Sequence, residues 1–104
     1  MPNKSRRVAL VTGGNRGIGF EVSRQLAERG FVVLLTAREE SKATAAAKKL
    51  EKDGTVEAIA LDVVDPRSIE KATAEVSRRY DHLDLLINNA GINYDTWETG
   101  VIDQ

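Results

Sequence analysis

Short apolar runs alternate along this chain with stretches that carry helical signals, and that alternation leaves few folds open. The runs are Val8-Ala9-Leu10-Val11, Phe31 to Thr36, Val56 to Leu61 and Asp84 to Asn88. The first two have no polar residue breaking them until Thr36, as expected of strands buried on both faces of a parallel sheet. Ile18, Val22 and Leu26 recur at i, i+4 and i+8, which predicts a helix with that face inward and Gly30 as its C-terminal cap. Residues 41–52 are alanine-rich, predicting a second helix that Gly54 ends. Asp65-Pro66 is a helix start, with Asp65 as N-cap and Pro66 in the first helical position. Ile69, Ala72, Val76 and Tyr80 mark the apolar stripe of this third helix. Strands joined through helices lie parallel, with right-handed crossovers and helices on both faces.

Composition narrows the partners. The 104 residues are 41% apolar and 30% charged, values of a soluble globular domain, with room for one domain at most. A net charge of −1 gives no global attraction to nucleic acid or to an acidic membrane surface. Without cysteine there is no disulfide and no thiolate chemistry. Lys4, Arg6 and Arg7 read as a solvated lead-in to the first strand, with no apolar segment behind them long enough for a signal peptide. No apolar run approaches the ~20 residues of a membrane span. The expected location is the cytoplasm, with no membrane and no nucleic acid as partner. The single histidine, His82, lies in a polar turn and reads as a surface residue, so no metal site is expected.

The first strand runs into Thr12-Gly13-Gly14-Asn15-Arg16-Gly17-Ile18-Gly19 and then into the first helix. Glycines at this place let the chain turn sharply and let a phosphate approach the backbone. N–H groups at the start of the helix, at about Gly17 to Gly19, would face a diphosphate, aided by the helix dipole. The spacing is Gly-x-x-x-Gly-x-Gly, distinct from the general Gly-x-Gly-x-x-Gly fingerprint. A P-loop would need Gly-Lys-Ser/Thr, and Gly17-Ile18-Gly19 does not supply it. A methyl-donor site on a similar sheet has no acidic residue before the glycines to support it.

Thr12-Gly13-x-x-x-Gly17-x-Gly19 after the first strand and Asn88-Asn89-Ala90-Gly91 after the fourth resemble the short-chain dehydrogenase/reductase family, with Asp62-Val63 in its expected place after the third. The resemblance covers about Val8 to Gly91. It implies an α/β fold, a Rossmann-type three-layer sandwich with a partial parallel sheet of four strands in the order 3-2-1-4 and about three helices. It also implies a nicotinamide cofactor, used by relatives to interconvert carbonyl and alcohol by hydride transfer. The residues it assigns to that cofactor are Gly13, Asn15, Arg16, Gly17, Ile18, Gly19, Arg38, Asp62, Val63, Asn89, Ala90 and Gly91. In the family, the acid matching Asp62 accepts from the adenine amino group, and the residue matching Val63 adds backbone contacts. Asn88 and Asn89 pin neighbouring strands, and Asn89, Ala90 and Gly91 edge the nicotinamide ribose. Thr12 reads as a brace of the turn.

Charge selects the nicotinamide. NAD users carry an acid at the end of the second strand, where it meets the ribose hydroxyls and repels an added phosphate. Here the chain reads Thr36-Ala37-Arg38, and Arg38 suits a 2′-phosphate, with Arg16 as a second cation. The expected cofactor is therefore NADP(H), while Glu39 and Glu40 read as acids of the next helix's first turn.

Relatives place a Ser and a Tyr-x-x-x-Lys motif beyond the Asn-Asn-Ala-Gly stretch. Tyr80 and Tyr94 are the tyrosines here, and the positions four on hold Asp84 and Glu98. Residues 1–91 thus read as a truncated dinucleotide-binding Rossmann domain, and residues 92–104 as a tail leading toward a missing second half. The expectation is the NADP(H)-binding portion of an oxidoreductase, inactive alone. The alternative is a non-catalytic dinucleotide-binding or oligomer-partner module. A fourth strand at the sheet edge would leave Leu85, Leu86 and Ile87 open to self-association or to pairing with full-length relatives.

Overall fold

A computed structural model of the chain describes residues 6–89. The expectations for Ala90, Gly91 and the segment 92–104 lie outside the described residues. Seven elements follow in order: β1 (Val8–Thr12), α1 (Gly17–Glu28), β2 (Val32–Ala37), α2 (Glu40–Lys49), β3 (Thr55–Ala60), α3 (Pro66–Arg79) and β4 (Leu85–Asn88). The strands form one sheet in the order β3-β2-β1-β4, every pairing parallel, as the sequence predicts.

Alternate residues of the central strands feed opposite faces. Val8, Leu10, Val32 and Leu34 join Ile59 and Ala72 in one core, against which Val76 of α3 and its C-cap residue Tyr80 pack. On the other face Leu35 and Ala37 meet Ala43, Ala46 and Leu50, while Val11 and Val33 meet Ala27. So α3 covers one face and α1 with α2 the other. Every residue of β1 and β2 is buried, which explains their unbroken apolar runs. Leu34 and Leu35 are wholly inaccessible, and burying each stabilises the fold by roughly 1.5–3 kcal/mol.

The inward face of α1 differs from the predicted one. Gly19, Ser23 and Ala27 are buried, whereas Ile18 is 52% exposed. The true face lies one residue further along, and it is built of small side chains. Small residues let the helix axis approach the sheet closely, and Ser23 satisfies its own hydroxyl by donating to Gly19 O at 2.8 Å. The larger Leu26 packs from the flank.

Helix boundaries follow local chemistry. α1 ends at Glu28 with Arg29 as C-cap, and Gly30 follows, where its N–H donates to Ala27 O at 3.0 Å. α2 stops at Lys49 rather than near Lys52, because buried Leu50 becomes the C-cap and Asp53 N–H returns to Leu50 O at 2.8 Å. Glu39 is the N-cap of α2 and Glu40 its first-turn acid. β2 and β3 each begin and end within one residue of the predicted runs. In α3 the inward stripe starts at Ala72, and Ile69 is 42% exposed. Its first turn is engaged with the preceding loop instead. Among the described residues, no helix is long and apolar enough to cross a membrane.

Candidate dinucleotide-binding site

Parallel pairing brings the carboxyl ends of all four strands to one edge, with Thr12 beside Asn88 and Ala37 beside Ala60. The segments that follow those ends are the glycine turn, Arg38, Asp62-Val63 and Asn89. In open parallel sheets this edge is where ligands sit.

The turn is braced from both neighbouring strands. Gly14 N–H donates to Thr36 O at 2.7 Å, and the Thr36 hydroxyl donates to Val11 O at 3.1 Å, tying the turn to the end of β2 just before Arg38. On the other side the Thr12 hydroxyl donates to Asn88 Oδ1 at 3.1 Å and accepts from Asn89 N–H at 2.8 Å. Asn89 Nδ2 then donates to Gly13 O at 3.1 Å. Thr12 is a brace, as its sequence position suggests. Asn89 is one too, as the resemblance implies, because its amide spans β4 and the turn.

Gly13 and Gly17 both adopt positive φ, +62° and +64°, where a side chain would be strained. Gly19 is required for a different reason. A Cβ there would lie 2.3 Å from Gly13 O and 2.7 Å from Asn89 Nδ2, so the backbone itself would have to shift. A Cβ on Gly14 would meet Leu35 Cγ at 2.9 Å, a packing constraint that the glycine spacing does not reveal.

Above this floor stands the start of α1. Its N-cap, Arg16, offers no side-chain cap, and its first turn holds no acid. The N–H groups of Gly17, Ile18 and Gly19 find no acceptor among the described residues. Four orphan donors and a positive dipole end make such a terminus receptive to an anion. Arg16 and Arg38 are exposed, and neither has a carboxylate partner among the described residues, whereas Arg24, Arg78 and Arg79 are all paired with glutamates. The arrangement suits a diphosphate with an additional phosphate nearby. No group of His, Cys, Asp or Glu placed to hold a metal ion occurs among the described residues.

Asp62 and Val63 are half-buried in the loop between β3 and α3. Asp62 Oδ1 accepts Val64 N–H at 3.2 Å, and Ser68 Oγ accepts Asp62 N–H at 2.7 Å. Ser68 is a site-shaping residue that pattern reading passes over. Its one signal is a hydroxyl at the third helical position after Asp65-Pro66.

The other ionisable groups lie elsewhere. Tyr80 is pushed up to about 12 by burial and by its hydrogen bond to Glu57 Oε2 at 2.6 Å, so it is a structural phenol at neutral pH. His82 has more partners than a lone surface residue: Nδ1 is 2.8 Å from Asp81 Oδ1 and Nε2 is 3.0 Å from Asp84 Oδ2. It stands at the amino ends of the strands, where Asp84 N–H donates to Val8 O at 2.8 Å, at the far edge from the glycine turn.

Fold and turn together define a parallel α/β protein of the Rossmann type. The chain belongs to the short-chain dehydrogenase/reductase family: the family profile described as short chain dehydrogenase matches residues 7–103. It is 47% identical over 94 residues to a (+)-neomenthol dehydrogenase of Capsicum annuum, across 86% of this chain and 30% of that protein. Among solved structures it is similar to a menthone neomenthol reductase from Mentha piperita, with a TM-score of 0.80 and 32% identity, over 92% of this chain and 41% of that one. The Pseudomonas aeruginosa RhlG/NADP active-site complex superposes with a TM-score of 0.73 and 36% identity, over 88% and 38% of the respective chains. The chain thus spans about a third of the length of the curated relatives it matches.

Proposed function

We propose that these residues form the NADP(H)-binding portion of a short-chain dehydrogenase/reductase-type oxidoreductase. The observation that carries this reading is the uncapped start of α1, held over a glycine turn that Thr12 and Asn89 brace. In it, the N–H groups of Gly17, Ile18 and Gly19 bind the diphosphate, with Gly13 and Asn15 shaping the turn. Arg16 and Arg38 hold the 2′-phosphate. Asp62 and Val63 bound the adenine, and Asn89, with Ala90 and Gly91, edges the nicotinamide ribose. The nicotinamide, when bound, supplies or takes up the hydride. The RhlG/NADP complex supports the choice of cofactor, since it shares this part of the fold.

These 104 residues contain no Tyr-x-x-x-Lys, so the chain on its own is proposed to bind cofactor without reducing carbonyl substrates. Isothermal titration with NADPH and NADH tests the assignment. NADPH should bind the more tightly, and Arg38→Ala should erase most of that preference, since a hydrogen bond to a charged group contributes ~1.5–3 kcal/mol. Tighter binding of NADH by the wild type would refute it.

One observation favours a second role. β4 stands at the end of the described sheet with Leu86 59% exposed. We propose that this edge pairs with a second copy of the chain or with a full-length relative. A monomer by light scattering at all concentrations, unchanged by an added relative, would rule that out.

A further inference from the structure

What fixes the Asp62-Val63 loop is a hydroxyl on the helix that follows it. The β ladder continues as far as Leu61, whose N–H donates to Ala37 O at 2.8 Å. The next N–H, that of Asp62, has left the ladder, and Ser68 Oγ accepts it at 2.7 Å. The Asp62 carbonyl accepts Asp65 N–H at 3.0 Å, and its Oδ1 accepts Val64 N–H at 3.2 Å. Asp65 is itself locked to α3, because its Oδ1 accepts Arg67 N–H at 3.0 Å. Asp62 is thereby held at its amide, its carbonyl and one carboxylate oxygen. The other oxygen, Oδ2, has no partner among the described residues.

We infer that Ser68 is a specificity-determining positioning residue, which holds the Asp62 carboxylate where it accepts an exocyclic amino group and so makes the site read the purine of its dinucleotide. The inference rests on the NADP(H) reading above. Ser68 is a half-buried residue of the first turn of α3, separated in sequence from the loop it grips. A carboxylate left mobile there still lends negative charge but loses its direction, and hydrogen-bond discrimination depends on direction. Adenine presents an amino group at its 6-position, whereas hypoxanthine presents a carbonyl oxygen that a fixed carboxylate repels.

The test titrates wild type, Ser68→Ala and Ser68→Thr with NADPH and with its hypoxanthine counterpart, following nicotinamide fluorescence. Wild type should favour the adenine form. Ser68→Ala should shrink that ratio by about fivefold, the worth of one ordinary hydrogen bond, and leave the NADPH-to-NADH ratio unchanged. Ser68→Thr, which keeps the hydroxyl, should restore it. Amide exchange at Asp62 should speed up in Ser68→Ala while β1 and β2 stay protected. An undiminished adenine preference in Ser68→Ala would overturn the inference alone, as would equal weakening toward both dinucleotides. A wild type that binds neither nucleotide would overturn the NADP(H) reading and this inference with it, and that result is visible before any variant is made.

Discussion

Two helix starts in this small protein face the same physical problem and solve it oppositely. α3 satisfies its own terminus: Asp65 accepts Arg67 N–H, Pro66 removes one donor, and Ser68 reaches back to the loop. α1 does none of this. Its cap residue is a cation with no side-chain hydrogen bond, its first turn lacks an acid, and the glycine turn beneath is braced by other strands rather than by the helix. An unmet terminus forfeits local stability of about 0.5–2 kcal/mol relative to a good cap. The rest of the fold has to hold that turn in place, and the Thr12-Asn88-Asn89 network with the Gly14–Thr36 bond does so. On the NADP(H) reading proposed above, the difference separates a terminus built for stability from one kept open for a ligand.

The largest effect should come from closing the open terminus sterically. Gly19→Ala places a Cβ 2.3 Å from Gly13 O, a side-chain carbon against a backbone oxygen that cannot yield cheaply. Overpacking of this kind costs about 1–3 kcal/mol. The denaturation midpoint should fall, and NADPH affinity should drop by tenfold or more (roughly 1.4 kcal/mol), as read by fluorescence titration. If Gly19→Ala binds NADPH like the wild type, the turn is not the phosphate cradle.

The comparison itself can be reversed by exchanging cap chemistry. Arg16→Asp gives α1 an N-cap acceptor and a negative charge at the positive end of its dipole, as Asp65 gives α3. Thermal stability should rise by about 0.5–1 kcal/mol, while NADPH binding is lost to anion repulsion. Asp65→Ala should lower stability by about 1 kcal/mol and weaken NADPH binding far less than Arg16→Asp does, since Asp62 keeps its bonds to Ser68 and Val64. Equal effects of the two variants on binding would show that the two termini are not functionally distinct.

How far these contrasts were legible in the sequence depends on range. The strand runs, the glycine turn and the Asp65-Pro66 start are carried by short-range pattern and the strand order by the family resemblance, and each stands in the structure where it is expected. The inward face of α1 is not legible this way, because apolar periodicity follows side-chain size and not proximity to the sheet. Gly19, Ser23 and Ala27 are buried by being small, a property that hydrophobic periodicity does not score. The span of Asn89 to Gly13 and the grip of Ser68 on Asp62 depend on tertiary placement. They become visible only once β4 lies beside β1 and α3 has folded back. The sequence places His82 at the surface but does not show its partner Asp84, which comes into range in the turn that enters β4.

That histidine gives the smallest expected effect, at the edge of the sheet farthest from both helix starts. Its hydrogen bond to Asp81, together with the Arg6 carbonyl and the charges of Asp84 and Asp81, raises its pKa above the ordinary value near 6.5. A raised folded value means that the native state binds the proton more tightly than the unfolded chain does. The stabilisation is therefore complete below the unfolded pKa and disappears as pH rises through the folded one. Asp84 connects this cluster to the fold, since its Oδ2 also accepts Val8 N–H at 2.7 Å at the start of β1. Melting curves of wild type and His82→Asn between pH 5 and 9 should therefore differ at the acidic end and converge at the alkaline end. The gap should be smaller than that of Asp65→Ala, because the ring is partly exposed, and added salt should narrow it further. NADPH affinity should not follow the same profile. If it did, the amino and carboxyl edges of the sheet would be coupled, and the proposed separation of a stabilising from a ligand-binding terminus would have to be redrawn.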